Sequence, residues 1–214
     1  ITSRLVGSEM CIRDRHCDYN VAHTNVVLGL VESLVGLIPA GGGCKEMLWR
    51  WLQTPEGKEN SEHASMKVFD LIGYAITATS PNEALPNQFF LEKDKVVINR
   101  DRQLSTAIDL LNNIEGGYEK PSQPKFNLGG SAVRDKMFEK LEALYNENKI
   151  LDHGLEVGKQ IAFVLSGGNT NIDNELSEDD LYNLELEAFM RLIQMPKTQE
   201  RIKHTLETGK PLVN

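Results

Sequence analysis

Residues 29–46 read Gly29-Leu-Val-Glu32-Ser-Leu-Val-Gly36-Leu-Ile-Pro39-Ala-Gly41-Gly-Gly43-Cys-Lys-Glu46. From Gly29 to Ala40 the one ionisable side chain is Glu32. A carboxylate buried in such a run without a partner costs several kcal/mol to ionise. Burial therefore raises its pKa toward the range a proton shuttle needs. A carboxylate pointing to solvent from an edge position carries no such consequence, and the pattern alone leaves both readings open. Pro39 and three successive glycines end the run, and a helical pattern follows from Cys44 to Leu52. Glycines allow close backbone approach, and a helix N-terminus favours anions. No Gly-Lys-Ser/Thr follows, so this is not a P-loop, and the G-x-G-x-x-G form of a dinucleotide fold is absent.

The composition bounds the function. A chain of 214 residues with 40% hydrophobic and 25% charged residues fits a soluble globular protein of one domain or one and a half. The net charge of −8 argues against nucleic acid, whose phosphates demand a basic surface. Cys11, Cys17 and Cys44 follow no regular spacing, which suggests reduced thiols and a cytoplasmic setting. Cys44 reads as a small buried hydrophobe, since no histidine pattern supports a nucleophile. His16 and His23 share no metal-ligand spacing with any cysteine or carboxylate cluster, so no metal site is expected. No apolar run reaches the ~18 residues of a membrane span, and no basic start followed by an apolar core marks a signal peptide.

Along the chain, β-rich runs at Tyr19–Ala22 and Asn25–Leu28 read as strand ends around a turn. Met66, Phe69, Ile72 and Ile76 set a helix over residues 61–79, stopped by Pro81. Ser80-Pro81-Asn82-Glu83 has the form of a capping box that restarts a helix. A strand is placed at Lys95–Asn99. Leu104, Ile108 and Leu111 mark a helix closed by Gly116-Gly117. Residues 118–130 read as a linker. Three more stripes follow: Val133, Met137, Leu141 and Leu144; Val157, Ile161 and Val164; and Leu181, Leu184, Ala188 and Leu192 behind a Ser177-x-x-Asp180 cap. A last helix over residues 199–208 would turn Ile202 and Leu206 inward. Stripes this regular are usually core.

The spacing His16-Cys17-Asp18, Gly29-Leu-Val-Glu32 and Gly36-Leu-Ile-Pro39-Ala-Gly-Gly-Gly43 resembles the crotonase superfamily, specifically its enoyl-CoA hydratase module. The match is to the module at the C-terminal end of bacterial-type 3-hydroxyacyl-CoA dehydrogenase fusions. The stretches Pro196–Ile202 and Thr208–Asn214 resemble the end of those fusions. The resemblance covers residues 16–214. It implies fatty-acid β-oxidation, with acyl-CoA as the substrate and hydration of a 2-enoyl-CoA as the reaction. It makes Glu32, fourteen residues after Asp18, the proton-transferring glutamate, with Val31 and Gly36 lining the acyl pocket. NAD is expected only for the dehydrogenase part, whose motifs this chain lacks, and a homo-oligomer is implied through the crotonase module.

Residues 1–15 resemble a translated sequencing adapter and are set apart from the fold, the alternative being a short native strand and loop. The family's second glutamate would fall at position 12, where Ile12 stands, and an oxyanion-hole glycine at position 9, where Glu9 stands. The chain as it stands is therefore expected to be inactive as a hydratase. The expected fold class is α/β: the C-terminal half of a crotonase-type ββα module over residues 16–117, a linker over 118–130, and a helical region over 131–214. Two alternatives remain: a non-catalytic docking module, and another crotonase-superfamily activity such as an isomerase or hydrolase.

Overall fold

The computed structural model describes residues 16–114, 116–169 and 173–214. The expectations for residues 1–15, including positions 9 and 12, lie outside the described residues. The described residues form an α/β structure dominated by helices, with three two-stranded pairings of short strands. Two compact units contain residues up to 29 with 77–123, and residues 30–76 with 124–214.

In the first unit, β1 (Val21–His23) pairs in parallel with β4 (Lys95–Val97), in the register Ala22 to Val96. β2 (Leu28–Gly29) pairs antiparallel with β3 (Thr77–Ala78). The buried Asp94 carboxylate ties the parallel pair, accepting from the backbone N–H of Asn20 at 2.9 Å and of Leu91 at 2.8 Å. Ala22, Leu28, Ala78, Ala84, Phe89 and Phe90 form its core.

Two expectations about this unit change. Ser80 caps the short helix α4 (Pro81–Ala84), but the Glu83 carboxylate accepts from Thr79 N–H at 2.7 Å, so the reciprocal bond of a capping box lands one residue early. Leu104, Ile108 and Leu111 are exposed on α5 (Gln103–Ile114), which has no buried side chain. Their stripe is apolar without being core.

The second unit is helical: α1 (Gly43–Leu52), α2 (Pro55–Glu59), α3 (Ser61–Gly73), α6 (Gly130–Asn146), α7 (Asp152–Leu165), α8 (Glu178–Ile193) and α9 (Pro196–Thr208). Helix α3 ends at Gly73 and not at 79, because the chain turns through a left-handed Ala75 into β3. The expected stripes close the core: Val133, Met137 and Leu141 from α6, Val157, Ile161 and Val164 from α7, and Leu181, Ala188 and Leu192 from α8. Each helix has one apolar face that only its neighbours can cover.

Ser177 and Asp180 form the expected capping box on α8. The stretch expected to be a linker carries β5 (Lys125–Phe126), paired antiparallel with β6 (Leu176–Ser177), and it buries Phe126 and Leu128. Pro196 opens α9 as its first residue, which a missing N–H permits there. The buried side chains of α9 are Thr198 and Arg201, whereas Leu206 is exposed.

Candidate functional site

Glu32 opens a 3₁₀ turn, Glu32–Val35, with Val31 in the N-cap position and Gly36 closing it in the left-handed region at φ 80°. The Glu32 side chain is half-buried. Its own carbonyl accepts from Leu37 N–H at 3.0 Å. A turn this short has few hydrogen bonds of its own, and three further bonds hold it from outside. Ser33 Oγ donates to Ile72 O of α3 at 2.8 Å. Arg201 donates to Ser33 O at 3.4 Å, and Thr198 Oγ1 to Gly36 O at 3.1 Å, both from α9. His153 Nε2 lies 2.8 Å from Thr198 Oγ1. The single Thr198 proton goes to Gly36 O, so His153 must be the donor, as the Nε2–H tautomer. Burial first, then Arg201 and Lys197, push the His153 pKa below its ordinary value, so the imidazole stays neutral. A Cβ on Gly36 would stand 2.9 Å from His153 Nε2 and 3.1 Å from Thr198 Oγ1. The side-chain position of Gly36 is thus filled by protein.

The glycine turn lies next along the chain. Gly42 takes φ 88° as the N-cap of α1. A helix N-terminus leaves backbone N–H groups without intrahelical acceptors and favours negative charge there. The anion that fills this place is internal. Glu185, 1% exposed on α8, accepts from Gly42 N–H at 2.7 Å, Lys45 N–H at 2.7 Å and Gly41 N–H at 3.2 Å. Burial raises its pKa, and the N–H groups of Lys45, Gly42 and Gly41 and the Lys45 charge pull it back, leaving it at about 7. The Lys45 ammonium, also 1% exposed, donates to Glu178 at 2.5 Å and to Glu46 at 2.9 Å. Burial opposes the Lys45 charge, but Glu178 and Glu46 outweigh it, and its pKa ends above the ordinary value.

Cys44 is fully buried, as the sequence suggests. Desolvation, then Glu185, then Glu32, raise its pKa well above that of a free thiol. The thiol is shut away from solvent, and its thiolate form is disfavoured. The opening stretch alone suggests a glycine turn ready to receive an external anion, and Glu185 corrects that. Because the turn's N–H groups are committed to a carboxylate, it does not fit an NAD pyrophosphate, and no hydride step is assigned to it. Among the described residues no cluster of three or more His, Cys, Asp or Glu is placed to hold a metal ion, and no helix is long and apolar enough to cross a membrane.

The sequence singles out Glu32, Val31 and Gly36; it does not point to Glu185, Thr198, His153 and Arg201, which hold the two turns around them. For Glu185 a signal existed. It falls on the stripe Leu181, Glu185, Ala188, Leu192, an acid on the face that α8 buries.

No protein-family model matches the chain. It is 32% identical over 209 residues to the probable 3-hydroxyacyl-CoA dehydrogenase of Bacillus subtilis (strain 168), a match that takes in 97% of this chain. The chain spans about a quarter of that protein, 26% of its length.

Proposed function

We propose that this chain is the hydratase-side segment of a protein of the 3-hydroxyacyl-CoA dehydrogenase/enoyl-CoA hydratase type, acting on acyl-CoA thioesters in fatty-acid β-oxidation. Its similarity along nearly its whole length to a 3-hydroxyacyl-CoA dehydrogenase supports that setting. The observation that carries the hydratase reading is the placement of Glu32. It heads a turn pinned from α3 and α9, half out of water, beside a glycine turn and a helix N-terminus. A carboxylate carried on a pinned turn in such surroundings suits proton transfer.

In the hydration, the water oxygen bonds to C3 of the enoyl thioester, and C2 gains a proton. Glu32 is the group assigned to proton transfer, and Val31 flanks it toward the acyl chain. In the enoyl-CoA hydratase family a second glutamate shares the proton traffic and two backbone N–H groups hold the thioester oxyanion. NAD belongs to the dehydrogenase reaction, outside the residues assigned here.

The test uses the full-length protein that carries this sequence. Glu32→Gln keeps the shape and removes the charge. Hydration of crotonyl-CoA, followed by loss of the conjugated thioester absorbance, should slow by at least ~10²-fold. An unchanged rate refutes the assignment. A second reading, a docking module, draws on the exposed Leu104, Ile108 and Leu111 of α5. If replacing these three by serine leaves the assembly mass of the full-length protein unchanged, that reading fails.

A further inference from the structure

We propose that Glu185 is a positioning residue for the Glu32 site: from α8 its carboxylate serves as the internal anion that fixes the Gly41–Gly42 turn and the first turn of α1. The inference rests on the proton-transfer reading of Glu32 and extends it to a residue far away in sequence.

Three observations carry it. The first is the bond set. One carboxylate takes three backbone N–H groups, with Oε2 on Gly41 and Gly42 and Oε1 on Lys45. A charged acceptor makes such bonds shorter and stronger than a neutral one. The second is burial. Glu185 is 1% exposed, so bulk water is shut out from this acceptor, and the turn depends on the side chain. The third is proximity to the proposed chemistry. Leu37 N–H donates to Glu32 O at 3.0 Å, and Pro39 O accepts from Gly43 N–H at 3.0 Å and Cys44 N–H at 3.3 Å, so the backbone joins the Glu32 turn directly to the glycine turn and the first turn of α1.

The Gly41–Gly42 turn has little means of holding its own shape. Glycine gives it the freedom to take φ 88° at Gly42 and costs it rigidity. The shape is supplied by α8, whose position is set by Leu181, Ala188 and Leu192 in the core. Lys45 completes the arrangement. Its ammonium reaches Glu178 on the same helix, so α1 and α8 are tied by a backbone bond to one acid and a side-chain bond to another. Other groups carrying charge around this junction are Glu46 on α1 and Glu32 on the 3₁₀ turn. Glu185 is buried and acts through the turn.

The test again uses the full-length protein. Glu185→Gln keeps volume and one acceptor oxygen but removes the charge. At about pH 8, above the about 7 at which Glu185 titrates, amide exchange at Gly41, Gly42 and Lys45 should speed up roughly tenfold, as a charge-assisted bond becomes a neutral one. For crotonyl-CoA hydration, kcat should fall at least about tenfold while KM moves less than about threefold, the signature of lost alignment and not of lost binding. Far-UV circular dichroism should stay native and show that the variant is folded at the assay temperature. Glu178→Gln serves as a second variant, because it loosens Lys45 and leaves the three N–H bonds in place; its kcat should stay within about threefold of the parent. A wild-type kcat in Glu185→Gln beside a crippled Glu32→Gln overturns the positioning role alone. Unchanged amide protection in Glu185→Gln also overturns it. Full activity of Glu32→Gln overturns the proton-transfer reading, and the site that Glu185 is said to position falls with it.

Discussion

Thr198→Val probes how α9 holds the turn that carries Glu32. Valine has nearly the shape of threonine, so no cavity opens; what disappears is one hydroxyl. That hydroxyl donates to Gly36 O at 3.1 Å and accepts from His153 Nε2 at 2.8 Å. Thr198, His153 and Gly36 are all buried. The substitution therefore strands a carbonyl and an imidazole N–H together. Each stranded group costs about 1–3 kcal/mol. Part of this is recovered because no hydroxyl need be desolvated on folding. The expected loss is about 2–4 kcal/mol, well beyond the ±0.5 kcal/mol of an ordinary surface change.

Thr198→Ser keeps the hydroxyl and gives up one methyl, about 1 kcal/mol. The order wild type, serine, valine separates the hydrogen bonds from the packing. Urea unfolding followed by tryptophan fluorescence is the assay. The chain has two tryptophans, Trp49 and Trp51, both on α1, so the signal reports the unit that contains Thr198. Thr198→Val within about 0.5 kcal/mol of wild type, or no less stable than Thr198→Ser, would refute the reasoning.

Further outcomes follow from buried charge. Glu185 titrates at about 7 in the folded chain against an ordinary 4.5, so its stabilising contribution is complete below 4.5 and fades as pH rises to about 7. That difference amounts to about 3 kcal/mol, and Glu185→Gln should flatten this part of the stability–pH curve in urea melts. His153 has the opposite sign: its lowered pKa gives stability that is present above its ordinary 6.5 and lost as pH falls through the folded value. His153→Gln should remove that acid-side loss, and an unchanged curve would count against a buried neutral imidazole. Cys44 should resist iodoacetamide in the native chain while the exposed Cys17 reacts, as read by peptide mass spectrometry. Rapid labelling of Cys44 without unfolding would contradict its burial. Leu192→Asp places a charge on the fully buried face of α8 and should cost several kcal/mol. Free amide exchange across residues 179–208 in both this variant and the wild type would mean that α8 and α9 are not docked.

The parts of the fold legible in the sequence are those that local chemistry decides. Apolar residues three and four apart on α6, α7 and α8 can be covered only by other helices, and Ser177 with Asp180 satisfies the α8 N-terminus without outside help. The parts that were not legible depend on which distant segment arrives. Phe126 sits in a stretch whose composition reads as loop, yet it pairs with Leu176 and packs edge-on to Trp49 at 5.9 Å between ring centroids. The α5 stripe has the same periodicity as the buried ones and stays exposed. Periodicity fixes that a face is apolar; it does not say what meets it.

The candidate site divides the same way. Glu32 is visible because a single acid interrupts an apolar run. Glu185 is harder to see, because an acid within a helical stripe is ordinarily a solvated residue at the edge of that stripe. What makes it internal is a place 143 residues away in sequence where backbone N–H groups stand without helical acceptors. The two features are complementary, and neither alone announces the other. A helix N-terminus opening on glycines attracts an anion, and a carboxylate on a core-facing helix position is tolerated only if donors meet it. Read together, an apolar stripe with one acid and a glycine-led helix start elsewhere in the chain are grounds to expect that the two pair. The glycine turn then becomes a joint between helices in place of a ligand cradle. The 3₁₀ turn of Glu32 obeys the same logic, since Ser33 and Gly36 present carbonyls that Arg201 and Thr198 meet from α9. Both turns beside the proposed proton-transfer residue thus take their shape from the last two helices of the chain. Substitutions in α8 and α9 should therefore reach the chemistry at Glu32 without touching it.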